Sequence, residues 1–323
     1  MNLHQLRAIC QVADCDMNIT RAALALHTTQ PGVSKQLSSL ERELGVDIVL
    51  RQGNRIVAFT AAGEAILKTA RRILNDARTI QSISEDFGTQ ESGRLVIATT
   101  HTHARYVLAD VIERFSRRYS KVQVVVRQGN AAGVVDLVSN GDADVGVSAR
   151  PDEPVRDIVM LPCYELPRSI VVPAGHPLLR KRRPAIEDIA QYPLIALDAS
   201  FAAGQKVLQR FSRSRLKPNI VVAATDTDVI KWYVTRGLGI SVLPSVAFDA
   251  KRDRGLKAID VAHIFEANVA YLMLRRNQYL LRHTADFASL LVPQCPRADI
   301  DRALVTGNVP TYPVAIYPKP AKH

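Results

Sequence analysis

A chain of 323 residues, 47% of them apolar, exceeds one small domain and at roughly 150 residues each accommodates two or three. It has no run of about 18 apolar residues, and Met1-Asn2-Leu3-His4-Gln5 lacks the basic and apolar regions of a secretory leader, so no membrane span or export is expected. Cys10, Cys15, Cys163 and Cys295 show neither metal-ligand spacing nor a disulfide framework, which points to reduced thiols and a cytoplasmic location.

The net charge of +11 invites an anionic partner, yet residues 1–90 carry ten Lys+Arg against nine Asp+Glu. The excess lies downstream, in clusters such as Arg180-Lys181-Arg182-Arg183, Arg213/Arg215/Lys217 and Lys251-Arg252/Arg254. Their ordinary reading is solvated loops and faces, with contact to bent DNA or an acidic partner as the alternative. Bulk charge does not decide for nucleic acid. The local pattern does.

Ile19, Ala22, Ala23 and Leu26 recur at helical spacing, as do Val33, Leu37, Leu40 and Leu44. Between them, Thr29 can cap the second helix, Gln30 or Pro31 can begin it, and Gly45 can end it with a left-handed residue. Two short helices around a tight turn form a helix-turn-helix, whose second helix fits the major groove of DNA. Gln30, Ser34, Lys35 and Ser38 are its exposed positions, short polar or basic side chains suited to base edges and phosphates. Thr29, Pro31 and Gln36 belong to the same candidate interface. Arg51-Gln52-Gly53-Asn54-Arg55 reads as a wing between short strands, with Arg51 and Arg55 gripping the phosphate backbone.

Thr60 then caps a helix that runs to about Phe87. Ile66, Ile73 and Ile80 are seven apart, with Ala70 and Ala77 four residues after the first two. This stripe is expected to be a dimerisation helix, its small residues allowing close approach, because a helix-turn-helix usually reads two half-sites as a symmetric pair. The alternative is packing on its own domain. Residues Gly88 to Gly93 form a polar break, the expected hinge.

Beyond the hinge, strands and helices alternate. Strands are expected at 95–98, 122–126, 145–147, 157–161, 168–172, 194–196, 220–223, 240–243 and 269–274. Helices are expected at 106–118, 134–138, 205–215, 228–236 and 279–291. That texture implies α/β architecture over a mostly parallel sheet. After Pro296 the prolines 310, 313, 318 and 320 predict a mostly extended or disordered tail, apart from a short turn near 299–304.

With these residues in view, the chain resembles a LysR-type transcriptional regulator over nearly its whole length. The carriers are Leu3-His4-Gln5-Leu6-Arg7, Ala22-Ala23, Thr29-Gln30-Pro31-Gly32-Val33-Ser34-Lys35-Gln36, Leu40-Glu41, Leu44-Gly45 and Thr60-Ala61-Ala62-Gly63. Segments 97–106, 159–164, 168–172 and 224–231 are similar to the CysB-like branch, regulators of sulfur assimilation. The resemblance implies a winged helix-turn-helix (1–59), a linker and dimerisation helix with hinge (60–92), and a periplasmic-binding-protein-like effector domain (93–295). That domain comprises two α/β subdomains, about 93–163 with 267–295 and about 164–266, and the tail occupies 296–323. It further implies promoter double-stranded DNA, a small-molecule effector in the interdomain cleft, and a homo-oligomer arranged as a dimer of dimers. Contact with RNA polymerase is a further expectation; no cofactor and no membrane partner is expected.

Thr100 and Thr102 lie between an apolar strand and a helix, where backbone amides and hydroxyls converge into an anion site. Simple capping by Thr102 is the plainer alternative. The resemblance gives both positions a role in contacting a bound anion. It implies an effector set of Thr100, His101, Thr102, His103, Ala149, Ala202 and Thr225. Here the chain departs from its branch: His103 replaces a glutamine, Ala149 and Ala202 replace threonines, and Leu166 replaces a tryptophan. The expected effector is sulfur-linked: sulfate, a sulfate ester, adenosine phosphosulfate, acetylserine or a sulfonate-related signal.

His101 and His103, as alternate residues on a strand, would face one way. Nothing nearby completes a metal set, and pocket-lining or structural roles are the ordinary reading. No nucleophile elbow, phosphate loop or dinucleotide fingerprint occurs, so no catalytic residue is expected. The competing functions are a regulator of another pathway with a different effector, a solute-binding protein, and an enzyme using the Thr-His-Thr-His segment.

Overall fold

A computed structural model describes residues 1–53, 55–86, 92–151, 153, 155 and 157–317. Asn54 of the wing, Phe87, residues 88–91 of the expected hinge, and Pro318 and Pro320 of the tail lie outside the described residues. Two compact units result, the first taking in the described residues up to 86 together with 139–142 and the second the remaining described residues.

The first unit runs α1 (Leu3–Asp14), α2 (Ile19–Ala25), α3 (Gln30–Leu44), β1 (Val49–Gln52), β2 (Arg55–Phe59) and α4 (Ala61–Asp86). The local chemistry acts as its residues dictate. Asn2 and Gln5 close a capping box on α1. The Thr29 hydroxyl accepts from the Gly32 N–H at 3.3 Å, and Gly45, at φ 70°, ends α3. Thr60 accepts from the Gly63 N–H at 2.9 Å and so starts α4. Leu6, Ile9, Val12, Ala22, Val33, Leu37 and Leu40 form the core between the first three helices.

α4 closes that core, and this divides the stripe expected to meet a second copy. Ala70, 1% exposed, is buried with Leu67 against the helix-turn-helix, so it is not available to a partner. Ile66 and Ile73 pack half-buried on the same core, and Ala77 is also half-buried. Ile80 stands out at 70% exposure. The competing expectation, packing on the helix's own domain, holds for its N-terminal half.

The second unit contains β3 (Gly93–Thr99), α5 (His101–Tyr106), α6 (Leu108–Arg118), β4 (Val122–Gln128), α7 (Ala131–Ser139), β5 (Val145–Ala149) and β6 (Ile158–Leu166). It continues through β7 (Arg168–Pro173), α8 (Ile186–Ala190), β8 (Leu194–Leu197), α9 (Ala202–Arg213), β9 (Ile220–Ala224) and α10 (Thr227–Thr235). Then follow β10 (Ser241–Pro244), β11 (Leu256–Asp260), β12 (Asn268–Arg275), α11 (Arg282–Leu291), α12 (Arg297–Thr306) and β13 (Ala315–Ile316).

Two lobes are built on separate sheets. A six-stranded sheet, ordered β13-β6-β12-β5-β3-β4, carries the first; β10-β7-β11 and the pair β8-β9 carry the second. The chain crosses between lobes at Pro167 and returns through Glu266, and the Arg168 guanidinium donates to the Glu266 carbonyl at 3.2 Å across these crossings.

Three expectations need correction. The large sheet is mixed, since β12 runs antiparallel to both neighbours, and β7 is antiparallel to β10 and β11. The helix expected at 106–118 is α6, starting at Leu108, but a separate short helix from His101, not expected, precedes it across a break at Val107 (φ −122°). His101 and His103 are therefore helical and do not share a strand face. Lastly, the short turn expected near 299–304 is a full helix, α12, while residues 307–314 carry no regular structure, as the prolines led one to expect. Ile300, Ala303 and Leu304, at helical spacing on α12, are buried in the core of the six-stranded lobe. β13 then adds parallel to β6, with the Tyr317 N–H donating to the Glu165 carbonyl at 2.8 Å.

Candidate nucleic-acid interface and effector cleft

The exposed face of α3 collects most of the residues expected to meet DNA. Thr29, Gln30, Pro31, Lys35 and Ser38 are exposed, while Ser34 and Gln36 are half-buried. Val33, Leu37 and Leu40 point the opposite way, into the core. Gln30 and Arg55 line one groove of ≈ 510 Å³ with Asn18 and Thr20, so the recognition helix and the wing come together. Among the described residues neither Lys35 nor Arg55 is held in an ion pair.

Arg51 is held to the recognition helix. Its guanidinium makes two hydrogen bonds to Glu41 of α3, at 3.2 and 2.9 Å. The Ile48 and Val49 N–H groups donate to the same carboxylate at 3.1 and 3.3 Å. Burial works to raise the Glu41 carboxyl, but the bonds from Arg51, Ile48 and Val49 outweigh it and hold it below the ordinary carboxylate range. The pair ties the wing to the recognition helix, and Arg55 is the arginine left facing outward.

In the second unit, the residues expected to bind an effector separate into two groups. Thr100 is the N-cap residue of α5 without a side-chain cap bond, and Thr102 sits half-buried in its first turn. His103 turns inward at 6% exposure, its Nδ1 2.9 Å from the Tyr164 hydroxyl and its ring edge-on to that tyrosine. Burial pushes the His103 imidazole down to about 4, which keeps it neutral. It is a core group, not a cleft-lining one.

His101 points across the lobes to α10. Its Nδ1 lies 3.1 Å from Asp226 and its Nε2 3.2 Å from Asp228. Asp226 also caps α10, accepting from the Asp228 and Val229 N–H groups. Asp228 is shared further: the Arg105 Nε is 2.7 Å away, the Tyr106 hydroxyl donates at 2.6 Å, and the Lys231 Nζ is 3.2 Å away. Burial opposes the charge on Asp228, yet the bonds from Tyr106, His101 and Lys231 hold its carboxyl below the ordinary value. Lys231 is raised despite burial, chiefly by Asp253 at 2.9 Å.

The ligand-capable atoms of His101, Asp226 and Asp228 lie within 4.8 Å of one another, close enough for a metal ion. Arg105 and Lys231 already neutralise Asp228, and the two nitrogens of His101 serve different carboxylates. The arrangement is an ion-pair cluster joining the lobes. Sequence reasoning had the residues of segment 224–231 in view but not their partnership with His101, because the helix start at His101 was read as strand. Thr225 is exposed beside this cluster.

Ala149 and Ala202 line a second feature, an open cleft of ≈ 430 Å³ between the end of β5 and the first turns of α9, with Arg150, Gln205, Lys206 and Tyr271. Of these, Arg150, Gln205, Lys206 and Tyr271 went unnoticed in the sequence. The only signal available was Lys206 standing four residues after Ala202 on a helix. Leu166 is buried in the lobe core.

Comparison with known proteins follows the same division. Residues 3–64 match the bacterial regulatory helix-turn-helix proteins of the lysR family, and residues 88–296 match the LysR substrate binding domain. The chain is similar to the HTH-type transcriptional regulator CysB of Burkholderia cenocepacia, 40% identical over 97% of this chain and 99% of the relative. SsuR of the same organism is 40% identical over 93% of this chain and 97% of its own. The regulator Cbl of Escherichia coli is 35% identical over 95% and 98%. Among solved structures, the cofactor-binding domain of the Cbl transcriptional regulator aligns with TM-score 0.64 at 33% identity, over 67% of this chain and 94% of its own. A full-length OxyR from Pseudomonas aeruginosa shares the fold at TM-score 0.72 and 23% identity, over 90% and 97%.

Proposed function

The chain belongs to the LysR family of transcriptional regulators, and on that premise we propose that it governs genes of sulfur assimilation. It is a ligand-responsive DNA-binding regulator and not an enzyme. Regulators of this family bind promoter DNA and small-molecule effectors and are typically oligomeric.

One observation carries the DNA reading: the outward face of α3 stands beside Arg55 of the wing, with Gln30 and Arg55 in a common groove. In this reading Lys35 and Arg55 neutralise phosphates, while Gln30, Ser34 and Ser38 reach base edges. Thr29, Pro31 and Gln36 set the entry angle of the helix, and Arg51 anchors the wing through Glu41.

Two copies are needed to read two half-sites. Ile80, 70% exposed on α4, with half-buried Ala77 one turn before it, supports a pairing face there. Ile220 and Val221 of β9 and Val229 and Trp232 of α10 are exposed apolar side chains that support a second face, as a dimer of dimers requires. The protein acts in the cytoplasm, and its contact with RNA polymerase rests on the family alone.

The effector is a small sulfur-linked anion or metabolite, received near Thr100, Thr102 and Thr225 and in the cleft lined by Ala149 and Ala202. The test is fluorescence anisotropy on promoter DNA of a sulfur-assimilation gene, with sulfate, acetylserine or adenosine phosphosulfate added in turn. At least one should shift the affinity of the wild type, and Thr102→Val should lose that shift. A full response in Thr102→Val removes Thr102 from the site, and no response to any of the three contradicts the sulfur reading.

A further inference from the structure

Two cations in the cleft have no role in the reading above. α9 has two faces. Gly204, Val207 and Phe211 are buried in the second lobe, whereas Ala202, Gln205, Lys206 and Gln209, at helical spacing, line the cleft. Opposite them, Arg150 follows directly on Ala149 at the end of β5, and Tyr271 of β12 forms part of the same wall.

No lining residue is acidic, and among the described residues neither Arg150 nor Lys206 is held in an ion pair. Two like charges facing one concavity repel each other while it is empty and together attract an anion. The alanines at 149 and 202 leave ≈ 430 Å³, within the range of about 300–1,000 Å³ that suits organic ligands. A bare tetrahedral oxyanion would leave most of that space unfilled and the Tyr271 ring unused.

We propose that Arg150 and Lys206 form a two-sided clamp for an organic anion, a sulfonate or sulfate ester whose carbon body lies against Tyr271. The guanidinium presents paired N–H donors to two oxygens of the head group, and the ammonium completes the charge from the other lobe. The Gln205 amide supplies a neutral donor beside them. Alanine at 149 and 202 admits the body, so these positions and the two cations set specificity together. The proposal rests on the cleft being the effector site.

The test is isothermal titration of the full chain with benzenesulfonate, benzenesulfonamide and inorganic sulfate. Benzenesulfonate should bind, and both the uncharged amide and bare sulfate should bind at least about tenfold more weakly. Arg150→Gln and Lys206→Gln should each weaken benzenesulfonate about tenfold. Both side chains are exposed, so the melting temperature of each variant should match the wild type. Absence of benzenesulfonate binding, parity of inorganic sulfate with it, or unchanged affinity in both variants overturns the clamp. A metabolite-dependent shift in DNA binding that survives both substitutions overturns the clamp alone and leaves the regulator reading standing. A wild type whose DNA binding responds to no metabolite contradicts that reading instead.

Discussion

The two units of this chain put their candidate sites together in opposite ways. In the N-terminal unit, every residue offered to DNA lies within 27 positions of the others, from Thr29 to Arg55, on one helix and one hairpin. In the effector unit, His101 meets Asp226 and Asp228 across separate lobes, and Ala149 and Ala202, from separate lobes, line one cleft. A local site is specified by caps and periodicity, which are properties of short segments. A site between lobes is specified by tertiary packing, which no short segment encodes.

The sharpest way to break this contrast is Gly63, where the N-terminal unit depends on a distant contact. A Cβ at Gly63 would stand 2.0 Å from the backbone carbonyl oxygen of Ile48, where no flexible side chain can yield. Gly63→Val should therefore destabilise the unit by about 1–3 kcal/mol or more, read as a lower urea midpoint with loss of DNA affinity. A stable variant with normal DNA binding would mean that the joint between wing and α4 tolerates a shift.

His103 sharpens the contrast from the other side, because it should affect the effector unit only. Its folded value of about 4 lies below the ordinary 6.5, so the unfolded chain binds the proton first as pH falls. The stability gained from keeping it neutral is complete above about 6.5 and is lost as pH drops from there towards 4. Across that window the slope is about 1.4 kcal/mol per pH unit. His103→Gln should flatten urea midpoints of the second unit measured between pH 7 and 4. A slope that persists in the variant would place the titrating group elsewhere.

The same contrast explains what could be read from the sequence. Thr29, Gly45 and Thr60 act as caps where their residue types and spacing place them. The strands at 95–98, 145–147 and 168–172 are legible because buried apolar runs bounded by polar breaks are local signals. Ala70 was misjudged because a stripe shows that a helix face is apolar, not what covers it. The start of α5 was missed because Thr-His-Thr-His lacks helical periodicity, and with it went the cluster around Asp228. Arg51 and Arg55 look alike in sequence; only the fold shows that Glu41 stands beside one of them.

The central claim is that α3 carries Lys35 against the phosphates of a DNA duplex. The most direct test compares the dependence of log affinity on log salt for the wild type and Lys35→Ala on the same promoter fragment. Removing one phosphate contact should make the slope shallower by about 0.9 and weaken binding on every sequence tried. An unchanged slope in the variant would contradict the orientation of the recognition helix.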